Sequence, residues 1–315
     1  IKDIDKPYWQ KINLHEDRFL YNRTVQAAYP PGSIYKLIPA YAGLDTGKIT
    51  PETSFRCGGG LRFGRRFFKC WKKSGHGHVS LNRGIGQSCD VYFYQVGLKV
   101  GVDGLKEYAH RFGLGEKTGI EIAYENPGLI PSSEWKMRRY KQKWIESETL
   151  SITIGQGYDL VTPLQAAKMI AMVANGGRNL VPHLGKKILG PNRSVIREIH
   201  QNLGDESIPD EVIQLLQKGV YEVVHGAGTA KRMKASPYTI VGKTGTAQVV
   251  GHDSNVKHSH KTKPHGWFVG YAPFENPKIA VAAIVENGGS GGAAAGPVVL
   301  KVINTYLDKV MPLGH

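Results

Sequence analysis

The stretch Tyr29-Pro30-Pro31-Gly32-Ser33-Ile34-Tyr35-Lys36 decides how the rest of the chain reads. A Pro-Pro-Gly turn leads into helical periodicity from Ser33 to about Leu44, ended by Gly47. Residues three apart share a helix face, so Ser33 and Lys36 lie one above the other. Ser33 stands at the helix start, near the positive end of its dipole. A serine hydroxyl attacks well only when a base takes its proton, and a lysine kept neutral by burial and nearby cations can be that base. Ser and Lys three apart are common by chance, so the pair gains meaning only from its company.

Two companions follow. Ser88-Cys89-Asp90 lies 55 residues after Ser33, and Lys243-Thr244-Gly245-Thr246 lies 155 residues after Ser88. The latter extends a β-rich run, Tyr238 to Val241, and so reads as part of a strand. Thr244 and Thr246 offer hydroxyls, Lys243 a cation, and Gly245 room for close backbone approach. The edge of such a strand can pair with an extended peptide.

The chain has 315 residues, 41% of them hydrophobic, enough for one large domain or two small ones. The longest apolar run, Ile279 to Val285, is seven residues, far short of the roughly 20 that cross a membrane. No signal peptide is visible, so the chain reads as soluble or as a piece of a longer one. The net charge of +15 favours anionic partners. The cations come in small groups (Arg65-Arg66, Lys72-Lys73, Arg138-Arg139, Lys261 and Lys263) without regularly interleaved aromatics. That pattern speaks against nucleic-acid binding and for a solvated basic face.

Helices are expected from Thr162-Pro163 to Asn175, from Pro209 to about Val224, and from about Pro297 to Val310. Strands are expected over Tyr238–Val250, Gly266–Ala272 and Lys278–Glu286. With few βαβ alternations, this is an α+β chain with a mostly antiparallel sheet flanked by helices. Residues 1–25 read as a lead-in and not as core. The polar loop His252 to His265 reads as mobile and solvated, since His252, His258, His260 and His265 repeat no ligand spacing. Trp71, Trp135 and Trp144 read as packing anchors. Asp159 and Glu121 lie near loops from which they could touch a substrate.

All three cysteines, Cys57, Cys70 and Cys89, fall within 33 residues. With His76, or His78 in its place, they make a Cys₃His set, a common structural zinc shell. A Cys57–Cys70 disulfide with Cys89 free, or three reduced thiols, stay open beside it. Side chains in a tight turn diverge, so Cys89 is expected to point behind any cleft that Ser88 and Asp90 line. Zinc there would tie the Gly/Arg-rich excursion from Cys57 to His76 to the Ser88–Asp90 turn, without taking part in catalysis.

Together the three motifs resemble those of the penicillin-recognising serine acyltransferases, S-x-x-K, S-x-N and K-T-G, a set already assigned to penicillin-binding proteins and β-lactamases. Leu20-Tyr21-Asn22-Arg23, Trp71-Lys72-Lys73-Ser74-Gly75-His76-Gly77-His78, Ile154-Gly155-Gln156-Gly157-Tyr158 and Gly242-Lys243-Thr244-Gly245-Thr246-Ala247-Gln248-Val249 are similar to the class B, penicillin-binding protein 2 branch that serves cell elongation. Asp90 stands where the superfamily usually has Asn, and the elongation branch is similar to this chain there. The resemblance implies the β-lactamase/transpeptidase-like fold with an all-helical subregion. It also implies a transpeptidase domain over 26–315, with 1–25 leading in from a pedestal domain.

The resemblance further implies Ser33 as nucleophile, Lys36 as general base, Ser88 as proton relay, and Asp90 orienting Lys36 or the substrate amide. Lys243, Thr244, Gly245 and Thr246 would bind substrate, with the N–H groups of Ser33 and Thr246 as oxyanion hole. Peptidoglycan stem peptides would be the substrates and β-lactams the covalent inhibitors, with no cofactor for catalysis. Implied partners are a SEDS-type glycosyltransferase and elongation scaffold proteins. An N-terminal membrane anchor would hold the domain on the periplasmic face of the inner membrane. Related chains tend to place Asp, Asp, His and Cys where this one has its thiols and imidazole, also possible zinc ligands. A D,D-carboxypeptidase or a penicillin-sensing receptor domain would carry the same motifs. A β-lactamase fits least, because the middle of the chain lacks an obvious deacylating Glu motif.

Overall fold

The computed structural model describes residues 5–16, 18–200, 203–248 and 262–311. The lead-in holds one helix, α1 (Lys6–Asn13), whose N-cap Asp5 accepts the Tyr8 N–H, and no described residue from 5 to 24 is buried. Ser33 opens a 3-10 turn, Gly32–Lys36, that runs on into α2 (Leu37–Asp45). The expected helix is therefore 3-10 in its first turn. Pro39 has no N–H to return to the Tyr35 carbonyl, so the α-helical ladder begins only beyond it.

Residues 55–79 form two small antiparallel pairs. β1 (Phe55–Cys57) pairs with β4 (Gly77–Val79), and the hairpin of β2 (Gly60–Phe63) and β3 (Arg66–Lys69) rises between them. Five helices follow: α3 (Leu81–Gly86), α4 (Asp90–Val100), α5 (Val102–Arg111), α6 (Ser133–Tyr140) and α7 (Glu146–Thr153). With α2 they make the helical subregion. In α4, 8 of 11 residues are buried, so no polar face gives it periodicity.

Thr162 caps α8 (Pro163–Ala174) as expected, through a reciprocal pair of bonds with Gln165. Two strand pairs lie beyond it, β5 (Arg178–Leu180) with β8 (Leu203–Ser207), and β6 (Lys187–Leu189) with β7 (Val195–Glu198). Then come α9 (Asp210–His225), β9 (Val241–Ala247), β10 (His265–Ala272), β11 (Ile279–Val285), α10 (Gly291–Ala294) and α11 (Gly296–Val310). β9 starts three residues later than the sequence suggests, because the Tyr238 N–H turns back to Ser236 Oγ. Val249, Val250, His252, His258 and His260 lie outside the described residues.

The main sheet is antiparallel, in the order β11-β10-β9. Gly266 to Ala272 of β10 are all buried, which requires cover on both faces, and α8, α9, α10 and α11 supply packing against the sheet. β9 is an edge strand: β10 pairs with one side and the turn that carries Ser33 packs against it.

The loop after α7 runs behind that turn. Gly32 N–H donates to the Gly155 carbonyl, and Tyr29 bridges Val161. Inside this junction Asp159 is fully buried, so it does not reach a substrate. Among the described residues, neither of its oxygens, nor the hydroxyl of fully buried Tyr35, has a hydrogen-bond partner. Burial raises the Asp159 carboxyl well above its ordinary range. The folded chain therefore holds it protonated, while the unfolded chain ionises it above about pH 4. Stability on this account is lost as pH rises through that value. Asp159→Asn should be more stable than the parent at pH 7, by a margin that shrinks toward pH 4; a constant margin in thermal unfolding across pH 4 to 7 would refute the assignment.

Candidate active site

The turn that carries Ser33 is fixed from three sides. Trp267, fully buried on β10, donates its indole N–H to the Pro30 carbonyl at 3.0 Å. Gly155 receives Gly32 from behind. Gly32 has φ +54°, and a Cβ there would lie 2.6 Å from the Thr246 carbonyl oxygen and 3.1 Å from its nitrogen. Glycine thus meets two demands, the left-handed backbone and the contact with β9. In the 3-10 turn Ser33 and Lys36 eclipse. Ser33 is half-exposed and Lys36 fully buried.

Lys36 Nζ donates to the Ser88 carbonyl at 2.8 Å, lies 3.2 Å from Ser88 Oγ, and pairs with Asp90 Oδ1 at 2.5 Å. Those three acceptors would hold the ammonium that Lys36 becomes on taking up a proton. Lys243, also fully buried, places Nζ 2.9 Å from the same Ser88 Oγ. Ser88 Oγ therefore bridges two lysine nitrogens. Burial first, and then the charge of Lys36, pushes the Lys243 ammonium well below the ordinary lysine range. Ser88 itself has φ +55°, a conformation that costs a non-glycine residue about 1–3 kcal/mol and collects at functional sites.

Alternation along β9 puts Thr244 and Thr246 on one face and Lys243 on the other. Thr244 Oγ1 lies 2.6 Å from Thr229 Oγ1. Thr229 lines an open pocket of about 340 Å³ with Lys231, Arg232 and Ser290. These four residues were not singled out in the sequence; the glycine-rich run His225-Gly226-Ala227-Gly228-Thr229 beside two cations is the signal that could have found them. Gln156, in the loop after α7, donates Nε2 to the Thr246 carbonyl at 3.1 Å. Gly245 has a different neighbour from the expected substrate: a Cβ there would meet the Pro31 carbonyl oxygen at 2.9 Å.

Behind Ser88, Cys57, Cys70, His76 and Cys89 are all buried, and their potential ligand atoms lie within 4.8 Å of one another. His78 is exposed and outside the group. His76 Nδ1 is 3.5 Å from both Cys57 Sγ and Cys70 Sγ. Tetrahedral zinc with ordinary bond lengths has S···N edges of about 3.5 Å. Burial lowers the His76 pKa, keeping the imidazole in its neutral, ligating form. A hydrogen bond from Cys89 lowers the Cys70 thiol to about 5, and the same contact raises Cys89. No disulfide joins the three cysteines.

Trp71 departs from the packing reading, being 58% exposed. Its main-chain N–H donates to Asp90 Oδ2 and its indole N–H to the Gln87 and Ser88 carbonyls. Trp135 and Trp144 are half-buried, grouped around Tyr158. Glu121 accepts the Leu184 N–H at the surface, among residues outside this cluster.

Lys36, Ser88 and Lys243 thus meet in the interior, next to the turn that carries Ser33 and the edge strand β9. Residues 5–304 match the penicillin binding protein transpeptidase domain, and the chain belongs to that family. It is 40% identical over 307 residues to the peptidoglycan D,D-transpeptidase MrdA of Haemophilus influenzae, covering 94% of this chain and 47% of that one. Pseudomonas aeruginosa PBP2, in complex with WCK 5153, superposes with a TM-score of 0.83 at 38% identity over 96% of this chain and 67% of that one. Helicobacter pylori PBP2, in complex with MreC, has a TM-score of 0.84 at 31% identity, covering 98% and 55%. The chain thus spans about half the length of the relatives it matches in sequence.

The contact between Gly32 and Thr246 yields a direct test. Gly32→Ala should lower the thermal midpoint by several degrees, since the Cβ must displace backbone and adopt a positive φ. An unchanged midpoint would contradict the close approach.

Proposed function

We propose that this domain is a peptidoglycan D,D-transpeptidase of the cell-elongation branch. The convergence of Lys36, Ser88, Asp90 and Lys243 under the Ser33 turn carries the reading. Ser33 Oγ attacks the carbonyl of the penultimate D-Ala of a donor stem peptide. Lys36, oriented by Asp90 and acting as the free amine, takes the hydroxyl proton to become the ammonium, and Ser88 relays that proton to the departing terminal D-Ala nitrogen as the C–N bond breaks. An ester to Ser33 remains. The N–H groups of Ser33 and Thr246 receive the oxyanion, where one such donor is worth about 10²–10³ in rate. Thr244, Thr246 and Lys243, with Thr229 beside them, bind the terminal carboxylate. The amine of a second stem peptide then attacks the ester, an amide forms, and the proton returns to Ser33 Oγ.

β-Lactams enter the same sequence at its first step and stop there. The whole protein, on this reading, continues N-terminally into a pedestal and membrane anchor and works on the periplasmic face of the inner membrane. The complex of the Helicobacter pylori relative with MreC supports elongation scaffold proteins as partners. A structural neighbour from a peptidoglycan synthase complex that coordinates polymerization and crosslinking supports a polymerising partner, which the family resemblance makes a SEDS-type glycosyltransferase. Zinc on Cys57, Cys70, His76 and Cys89 is part of the proposal, and the buried Cys₃His donor set supports it. Bound there, it would supply cross-linking of the 57–76 excursion to the Ser88 turn, and no catalytic step.

Two measurements test this. A fluorescent penicillin should label the protein by one adduct, on Ser33; labelling that survives Ser33→Ala would overturn the assignment. Protein purified without added metal should carry about one zinc per chain, lost in Cys89→Ser together with thermal stability. Zinc-free protein with three titratable thiols would remove the metal from the account.

A further inference from the structure

Between Glu52 and Asp90 the chain has no acidic residue and eight Lys or Arg. Among the described residues none of the eight is paired with a carboxylate. The β2–β3 hairpin has two unlike faces. Leu61, Phe63 and Phe68 pack toward the core. Alternation and register put Arg62, Phe67 and Lys69 on the other. Phe67 is 54% exposed, and its ring lies over Gly60, where a Cβ would come within 2.3 Å of it. The face leads on to Trp71, 58% exposed, two residues past Lys69.

Trp71 is not a loose surface residue. Its indole N–H is held by the Gln87 and Ser88 carbonyls, and its ring lies edge-on to His76 at 5.3 Å. Both its N–H groups are satisfied from within, so its exposed surface is an apolar platform fixed in place beside Ser88. Exposed aromatics set among unpaired cations suit an anionic ligand with aliphatic parts. The hairpin's four-residue strands carry the face about 13 Å outward from that point. Trp71 meets the relay from the Asp90 side, whereas Thr244 lies on β9 with Thr229 against it.

We infer that Trp71, Phe67, Arg62 and Lys69 form the platform for the acceptor, an acidic stem peptide bearing a free side-chain amine. This rests on the transpeptidase reading. The 57–76 excursion then has a function of its own: it orients the second substrate so that its amine reaches the Ser33 ester ahead of water. Aminolysis forms the amide, breaks the ester C–O bond and returns the amine proton to Ser33 Oγ; hydrolysis breaks the same bond, leaves a free carboxyl group on the donor and returns a water proton to Ser33 Oγ.

The test separates the two half-reactions. The donor is a thioester of an N-acyl-D-alanine, and the acceptor an anionic stem peptide with a free amine. A second acceptor has its carboxylates amidated. Arg62→Glu with Lys69→Glu should lower the ratio of aminolysis to hydrolysis about tenfold for the anionic acceptor, and much less for the amidated one. Acylation by penicillin should fall no more than about twofold. Trp71→Ala should lower the ratio for both acceptors. Quenching of tryptophan fluorescence by the anionic peptide should weaken with salt and with the charge reversal. An unchanged ratio and unchanged quenching would overturn the inference, as would an equal loss of penicillin acylation. Binding of phosphatidylglycerol vesicles through these residues, with the ratio unaltered, would give the face to lipid and also overturn it. Failure of penicillin to acylate Ser33 in the parent would remove the transpeptidase reading itself.

Discussion

Everything in this cleft depends on a buried charge pair. Lys36 has no exposed surface and Asp90 almost none, and they meet at 2.5 Å. Removing one partner of such a buried pair typically costs about 3–5 kcal/mol. Asp90 is satisfied on its other oxygen by the Trp71 N–H, and it opens α4, where a helix N-terminus favours a negative charge. The pair is a weak source of net stability. What it supplies is position: it sets Lys36 against Ser88, and Ser88 against Lys243.

Three remote parts of the chain are thereby brought to one point. The 3-10 turn supplies Ser33 and Lys36, the strained Ser88 turn comes from between α3 and α4, and β9 brings Lys243 and Thr246. Glycines at 32 and 155 let these backbones touch. Behind the turn, the thiol-imidazole group gathers the 57–76 excursion, and Trp71 couples that excursion to Asp90 through a single N–H. Catalytic geometry and the ordering of the basic excursion are two sides of the same turn.

How much of this was legible in the sequence follows from where the signals lie. The late strands and the Thr162 cap could be read because apolar runs and capping chemistry are local. Catalytic roles were expected for Ser33, Lys36, Ser88 and Asp90 through paired motifs; the structure brings Lys36, Ser88 and Asp90 together with Lys243, and Ser33 shares the 3-10 turn of Lys36. The cysteine cluster stood out by spacing alone, although nothing in the spacing chose His76 over His78; burial did. Helix α4 left little trace, since a helix buried on most sides has no polar face to mark its period. Thr229 was invisible because its meaning comes from a neighbour across the fold, Thr244. Trp71 was misread because a large aromatic ordinarily packs inside, and only the carbonyls of Gln87 and Ser88 hold it at the surface. Asp159 was misplaced for the opposite reason: a charged type near a loop reads as exposed, and here it is core.

The central claim is that Lys36 and Asp90 exist in this site only as a pair. Thermal stability of four proteins tests it most directly: the parent, Lys36→Met, Asp90→Asn and the double variant. Asp90→Asn should destabilise the parent yet stabilise the Lys36→Met protein, because there it removes an uncompensated buried charge. If Asp90→Asn cost the same in both backgrounds, within about 0.5 kcal/mol, the two residues would be independent and the account would be wrong.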